Sequence, residues 1–222
     1  MRLLVITANA RRHMALLAKL ADMSYTVTAL VQVPPVQPVS EVKARYWAHV
    51  TAAEATVFPD VTVAGVTLRY RPLTRQTEAV PGPFDRALVF GGGLIGGDLL
   101  TQCLELGALN LHAGIAPAYR GTDCNFWAAY DWHPELVGVT VQTLTAWVDK
   151  GLVLAYATQG GYGTPWVASM QTVADAFTLA CQALEGPLPP PDFALTTHAV
   201  VRYSRAAEFT DQVAAEFLAR HA

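Results

Sequence analysis

ALNLHAGIAPAYRGTDCNFW, residues 108–127, opens like a buried strand, yet an amide and an imidazole interrupt its apolar run. Alternate residues of a strand point to one face. Asn110 and His112 therefore project together, roughly 7 Å apart at Cα, while Leu109 and Leu111 point the other way. A Gly/Pro loop carrying Arg120 follows, then the start of a helix in which Phe126 and Trp127 read as core. In an open α/β sheet, ligands bind beyond the carboxyl ends of strands, so two polar side chains there mark a place for chemistry. The plain alternative is a hydrogen-bonded core histidine beside a strand-capping asparagine.

The flanking sequence alternates strands and helices. Residues 2–8 read as a buried strand. Residues 11–22 read as a helix with Met14, Leu16, Leu17 and Leu20 as its apolar stripe. A strand at 26–32 follows, and Pro34, Pro35 and Pro38 break regular structure after it. Ser40 caps an expected helix over 40–57. Strands are expected at 66–71 and within 86–93, then a helix at 97–106. Beyond the opening stretch, a helix is expected near 122–132, strands at 136–145 and 153–158, and a long amphipathic helix over 166–186 closed by Gly186. This order implies an α/β fold: a Rossmann-like, open, mostly parallel twisted sheet flanked by helices. The proline-rich segment 186–193 divides a catalytic core, 1–186, from a short extension, 187–222. In that extension HAVVRY, 198–203, reads as a strand and 207–220 as a helix.

Composition narrows the function. With 222 residues, 52% of them hydrophobic and 15% charged, the chain is globular and long enough for one sizeable core. The net charge of −3 argues against a nucleic-acid partner. No apolar run approaches a membrane span. The scattered Cys103, Cys124 and Cys181 lack metal spacing and suit reduced thiols in a cytoplasm. Cys124 lies near His112 in sequence, but nothing around it marks a stabilised thiolate.

The turn GGGLIG, 91–96, satisfies G-x-G-x-x-G after a strand. Its mid-chain place, and the lack of a carboxylate about 20 residues on, argue against a dinucleotide site. Two readings remain. It is a tight strand-to-helix turn in which glycine permits positive φ, or its bare peptide groups recognise a flat heterocycle. WVDKG, 147–151, places Asp149 at a turn between two expected strands, where it can orient His112 by charge pairing. An ordinary turn aspartate is the alternative.

Asn110-Leu-His112, the P-x-Y-R-G loop and VGVTVQTLTAWVDKG at 137–151 together resemble the formyltransferase fold family. Its members use 10-formyltetrahydrofolate and include methionyl-tRNA formyltransferases, glycinamide ribonucleotide transformylases and nucleotide-sugar N-formyltransferases. The likeness is best over 86–158. It implies that Asn110, His112 and Asp149 are catalytic. It implies that folate lies against Phe90, Gly91, Gly93, Leu94 and Gly96, and against Thr145 and Ala146, with no metal. Tyr119 and Arg120 are then expected on the acceptor, as is Arg11, which with Arg12 suits a phosphate or carboxylate; a solvated helix start is the alternative for that pair. The chain departs from the family in Ala113-Gly114, where many members have Pro-Ser, and in Asp149-Lys150-Gly151, where they have D-T-G or D-G-G. Lys150 either alters folate-tail contacts or faces solvent.

The resemblance implies formyl transfer to a primary amine of a small molecule: an amino sugar, a nucleotide sugar or another precursor in specialised metabolism such as antibiotic biosynthesis. The tRNA-directed members carry a larger C-terminal domain. The purine-pathway members hold phosphate on a glycine-containing loop after the first strand, where this chain has TANARRHM. The C-terminal extension either completes the substrate pocket or makes a homodimer contact. A formyl-folate hydrolase and a non-catalytic folate-binding protein are the rival functions, with an NAD(P)-dependent oxidoreductase behind them. All of this requires Asp149 to face His112 beside a cavity.

Overall fold

In the computed structural model, residues 1–33, 39–158 and 163–221 are described; the breaks expected at Pro34, Pro35 and Pro38 lie outside them. The chain runs β1 (Arg2–Thr7), α1 (Arg11–Asp22), β2 (Thr26–Gln32), α2 (Glu41–Val57), β3 (Thr67–Arg71), β4 (Arg86–Phe90), α3 (Gly97–Glu105) and β5 (Leu109–His112). It continues through β6 (Tyr119–Gly121), α4 (Cys124–Tyr130), β7 (Gly138–Thr143), β8 (Val153–Thr158) and α5 (Pro165–Glu185). The last elements are α6 (Phe193–Thr196), β9 (Arg202–Ser204) and α7 (Asp211–His221). Seven strands form a sheet in the order β3-β2-β1-β4-β5-β7-β8. Strands β1 to β5 are mutually parallel, whereas β7 and β8 join antiparallel. This is the open, mostly parallel α/β sheet that the strand–helix alternation requires.

Both faces of the sheet are covered, but with different chemistry. Leu3, Val5, Leu88, Phe90, Leu109, Leu111, Val139 and Val141 pack on one side against α1, α2 and α5. The other side presents Leu4, Ile6 and Val89 to Leu99 and Cys103 of α3. Val89 registers with Asn110, and Asn110 with Gln142; His112 registers with Thr140. Along β5 and β7 this second face therefore turns from apolar to polar. Thr140, Gln142 and His112 are all buried there.

Local signals set the helix ends. Ser40 Oγ accepts the Lys43 N–H at 3.3 Å and caps α2. Thr164 caps α5, with Pro165 in the first turn. Gly186 ends α5 as expected, with extended backbone (φ −179°). Of the strand expected over 198–203 only Arg202 and Tyr203 pair, and the final helix begins at Asp211 after a single 3-10 turn at 206–208. The pair β6–β9 was not foreseen, because two three-residue strands some 80 positions apart carry no periodic signal. Through it the C-terminal segment packs on the core: Ser204 Oγ donates to the Arg120 carbonyl, and Arg202 binds Asp131 at 2.7 and 2.9 Å.

The buried face of α1 is His13, Leu16, Leu17 and Leu20, with His13 taking the place expected of Met14. His13 lies 4.8 Å from the Phe90 ring, and its Nδ1 is buried without a partner. Burial, assisted by the Arg12 charge, lowers its pKa to about 3. An unfolded histidine titrates near 6.5. Between these values the unfolded chain holds a proton that the folded chain does not. Stability contributed by His13 is present above pH ~6.5 and lost as pH falls toward ~3, by at most about 1.4 kcal/mol per unit. Urea unfolding at pH 7 and pH 5 should show this slope, and His13→Gln should flatten it.

Candidate active site

The loop between β7 and β8 leaves from the Leu109 side of β5, since Thr143 registers with Leu109. It folds back over the polar face, so that Asp149 Oδ1 stands 3.1 Å from His112 Nδ1. Asp149 adopts a left-handed backbone (φ 49°), and its Oδ2 accepts the Gly121 N–H at 2.9 Å. His112 Nε2 lies 2.9 Å from the Tyr119 carbonyl. Both ring nitrogens thus face oxygens, and loop 113–121 roofs the imidazole. Thr140 fastens that loop, donating to the Gly114 carbonyl at 2.6 Å and accepting the Ala116 N–H at 2.9 Å.

Asn110 is half-buried, and its carboxamide makes no hydrogen bond to any described residue. Gln142, directly across from it in the register, is 1% exposed, and its Oε1 has no partner. A buried amide oxygen left unpaired costs about 1–3 kcal/mol. Sequence reading passed over Gln142; its place opposite Asn110 on an antiparallel neighbour was the signal, but the strand pairing was needed to see it.

The expected folate-contacting residues divide. Gly91 and Gly93 are exposed in left-handed conformations (φ 71° and 65°), leaving peptide groups bare. Leu94 and Ala146 are exposed, and Thr145 Oγ1 donates to the Trp147 carbonyl at 2.9 Å. Phe90 is core: its ring meets His13 and Phe177, and its carbonyl accepts the Thr7 hydroxyl. Gly96 packs onto the Arg75 backbone and serves loop packing. Lys150 is exposed, 5.9 Å over the Trp147 ring.

Two acceptor assignments change. The Tyr119 side chain is wholly buried and directed to Asp131, so only its carbonyl reaches the site. The Arg11 guanidinium is taken by the Phe58 and Pro59 carbonyls at 3.0 and 2.9 Å. Arg120 is half-buried with an unpartnered Nε. Burial and the Asp149 charge raise the Cys124 pKa, which keeps it a thiol. Among the described residues no cluster of His, Cys, Asp or Glu could hold a metal, and no helix is long and apolar enough to cross a membrane.

Gly114 explains the Ala-Gly departure. A Cβ there would overlap Cys124 and come within 2.8 Å of His112 Nε2. Gly114→Ala should cost about 1–3 kcal/mol by overpacking. A double-mutant cycle with Cys124→Gly, read by urea midpoint, should show the two changes offsetting each other.

Two cavities open to solvent lie elsewhere. One of about 40 Å³ is walled by Tyr46, Phe126, Trp166 and Phe217 among others; a second, of about 160 Å³, lies among Ala129, Trp132, Pro134 and Val137. Neither is lined by His112 or Asp149. The carboxylate faces the imidazole as expected.

No family model and no curated protein matches the sequence. Solved structures do. The formyltransferase PseJ from Anoxybacillus kamchatkensis, in complex with UDP-4,6-dideoxy-4-formamido-L-AltNAc and tetrahydrofolate, is 19% identical, with 82% of this chain and 87% of that one covered at a TM-score of 0.50. A 4-N formyltransferase from Francisella tularensis is 10% identical over 94% and 78%, at 0.59. Glycinamide ribonucleotide transformylase 1 from Symbiobacterium toebii is 15% identical over 83% and 85%, at 0.56. The chain has the formyltransferase fold.

Proposed function

We propose that this chain transfers a formyl group from 10-formyltetrahydrofolate to a primary amine of a small molecule. One observation carries the reading: a buried carboxylate–imidazole contact sits on the same polar face as a carboxamide that no described protein group uses. The residues present fit the folate. The peptide groups at Gly91 and Gly93 are bare, and the buried Gln142 oxygen lacks a donor. The fold's PseJ example was solved with tetrahydrofolate bound.

Formyl-folate supplies an electrophilic carbonyl carbon. Asn110 donates an amide N–H to the formyl oxygen, where negative charge gathers as the amine attacks. His112 takes the proton that the amine sheds, at Nε2, which must leave the Tyr119 carbonyl to do so. Asp149 holds Nδ1 and stabilises the ring while it carries that proton. The proton passes on to the departing folate nitrogen, so the products are a formamide and tetrahydrofolate.

Incubation with 10-formyltetrahydrofolate and a panel of amines, followed by tetrahydrofolate release and product mass, tests this. Amine-dependent release with a product heavier by a formyl group is expected. Formate release without amine identifies a hydrolase, and binding without turnover identifies a folate-binding protein; either rejects the proposal.

A further inference from the structure

One polar side chain on the catalytic face is buried without a partner for its oxygen. Gln142 is 1% exposed, and its Oε1 accepts no hydrogen bond. It stands directly across from Asn110, as Thr140 does from His112. Directly opposed residues of an antiparallel pair share a face, with Cβ atoms about 4.5–5.5 Å apart. Gln142 therefore lies within side-chain reach of whatever the Asn110 carboxamide holds. Packing gives no reason for an amide here. On the same side of β7, Thr140 gives its hydroxyl to loop 113–121, and Leu144 joins the apolar cluster of Leu99 and Cys103. An apolar residue at 142 would extend that cluster. Instead the strand orders a flexible side chain and desolvates its oxygen, two costs that no hydrogen bond from a described residue to that oxygen offsets. The ladder to β8 slips at this residue: Val141 pairs with Ala155, but Gln142 with Val153. Such bulges re-aim side chains and gather beside active sites.

An unpaired oxygen needs a hydrogen-bond donor, and few groups near the transferred carbon supply one. The formyl oxygen is itself an acceptor, engaged by Asn110 in the proposed reaction. N10 of 10-formyltetrahydrofolate carries no hydrogen. Two donors are left: the N–H groups of the attacking amine and the N5–H of the reduced pterin. The amine sheds its proton to His112, which lies two residues further along β5, opposite Thr140 and not Gln142. N5 lies close enough to N10 for a single carbon to bridge the two, so it stays beside the formyl group that Asn110 holds. A hydrogen bond from N5–H to Gln142 Oε1 satisfies both. A folate substituted at N5 lacks that hydrogen and strands the oxygen again. Sites built to hydrogen-bond an N–H reject analogues without it for this reason.

We propose that Gln142 Oε1 accepts the N5–H of the bound folate and so selects folates unsubstituted at N5. The choice of ligand rests on the formyl-transfer reading, but the test needs no turnover. The probes are tetrahydrofolate, 5-deazatetrahydrofolate (a methylene in place of N5–H) and 5-methyltetrahydrofolate, titrated by calorimetry. Wild type is expected to bind tetrahydrofolate at least tenfold more tightly than either analogue. Gln142→Met keeps an unbranched side chain of similar length without the acceptor oxygen. It should bind tetrahydrofolate and the deaza analogue within about threefold of each other, through weaker binding of the former. Its urea midpoint should match or exceed that of wild type, since the lost oxygen accepts no hydrogen bond within the protein. Gln142→Leu repeats the test should the first variant misfold. Wild type that binds tetrahydrofolate and its deaza analogue alike overturns the proposal, as does a variant that keeps the preference. A lowered urea midpoint with equal losses for all three ligands makes Gln142 structural and overturns it too. Folate binding without the N5 preference rejects only the Gln142 assignment, whereas no binding of any folate rejects the formyl-transfer reading and this proposal with it.

Discussion

Replacing Asp149 with asparagine should lower kcat about 10,000-fold, the scale seen when the carboxylate behind a catalytic histidine becomes an amide. The substitution is clean because asparagine tolerates the left-handed backbone that position 149 adopts. The carboxylate accepts on both oxygens, from the His112 ring at 3.1 Å and from the Gly121 N–H at 2.9 Å. An asparagine has one acceptor and one donor end. If its oxygen keeps Gly121, its NH2 faces Nδ1, forces the proton to Nε2 and leaves that nitrogen unable to accept one. If its oxygen keeps His112, its NH2 meets the Gly121 N–H donor to donor and loosens the loop. Either way the ring cannot take the amine's proton while held in place. Folate affinity, followed by tryptophan fluorescence, should stay within about threefold, because the exposed glycine turn is untouched. A kcat within tenfold of wild type shows that the pair is structural.

Asn110→Ala should cost about 100- to 1000-fold in kcat, or about 2.7–4 kcal/mol, the range for deleting one oxyanion donor. The residue is half-buried and its amide is unengaged, so truncation removes no protein hydrogen bond and should leave the fold intact. Folate binding should persist, because the lost interaction forms only as charge develops on the formyl oxygen. Single-turnover rates set against folate Kd separate the two. A rise in folate Kd matching the fall in rate would make Asn110 a binding residue. Combined with Asp149→Asn, the loss should fall well short of the product of the two, because the groups act on one transition state.

Much of the architecture was readable from local pattern. Period-two and period-3.6 runs placed β1, α1, β2 and β8 within a residue of their observed ends. The same period put Asn110 and His112 on one face, opposite Leu109 and Leu111, as the split of the core confirms. The misreadings share a cause. Phe90, Tyr119 and Arg11 sit at the edges of elements, where no periodicity says which way a side chain turns. In the fold Phe90 and Tyr119 became core and Arg11 a tether for Phe58 and Pro59.

Alternation of apolar and polar residues by itself determined an open α/β sheet and the shared face of the amide and imidazole, because backbone geometry converts spacing directly into direction. Only the tertiary structure decided that residue 149 reaches residue 112, that Gln142 lies opposite Asn110, that Glu54 binds the start of α1, and that β9 pairs with β6 at the end of loop 113–121. Each of these joins positions at least 32 residues apart, and contacts of that kind are set by how helices and strands pack, which no local pattern encodes.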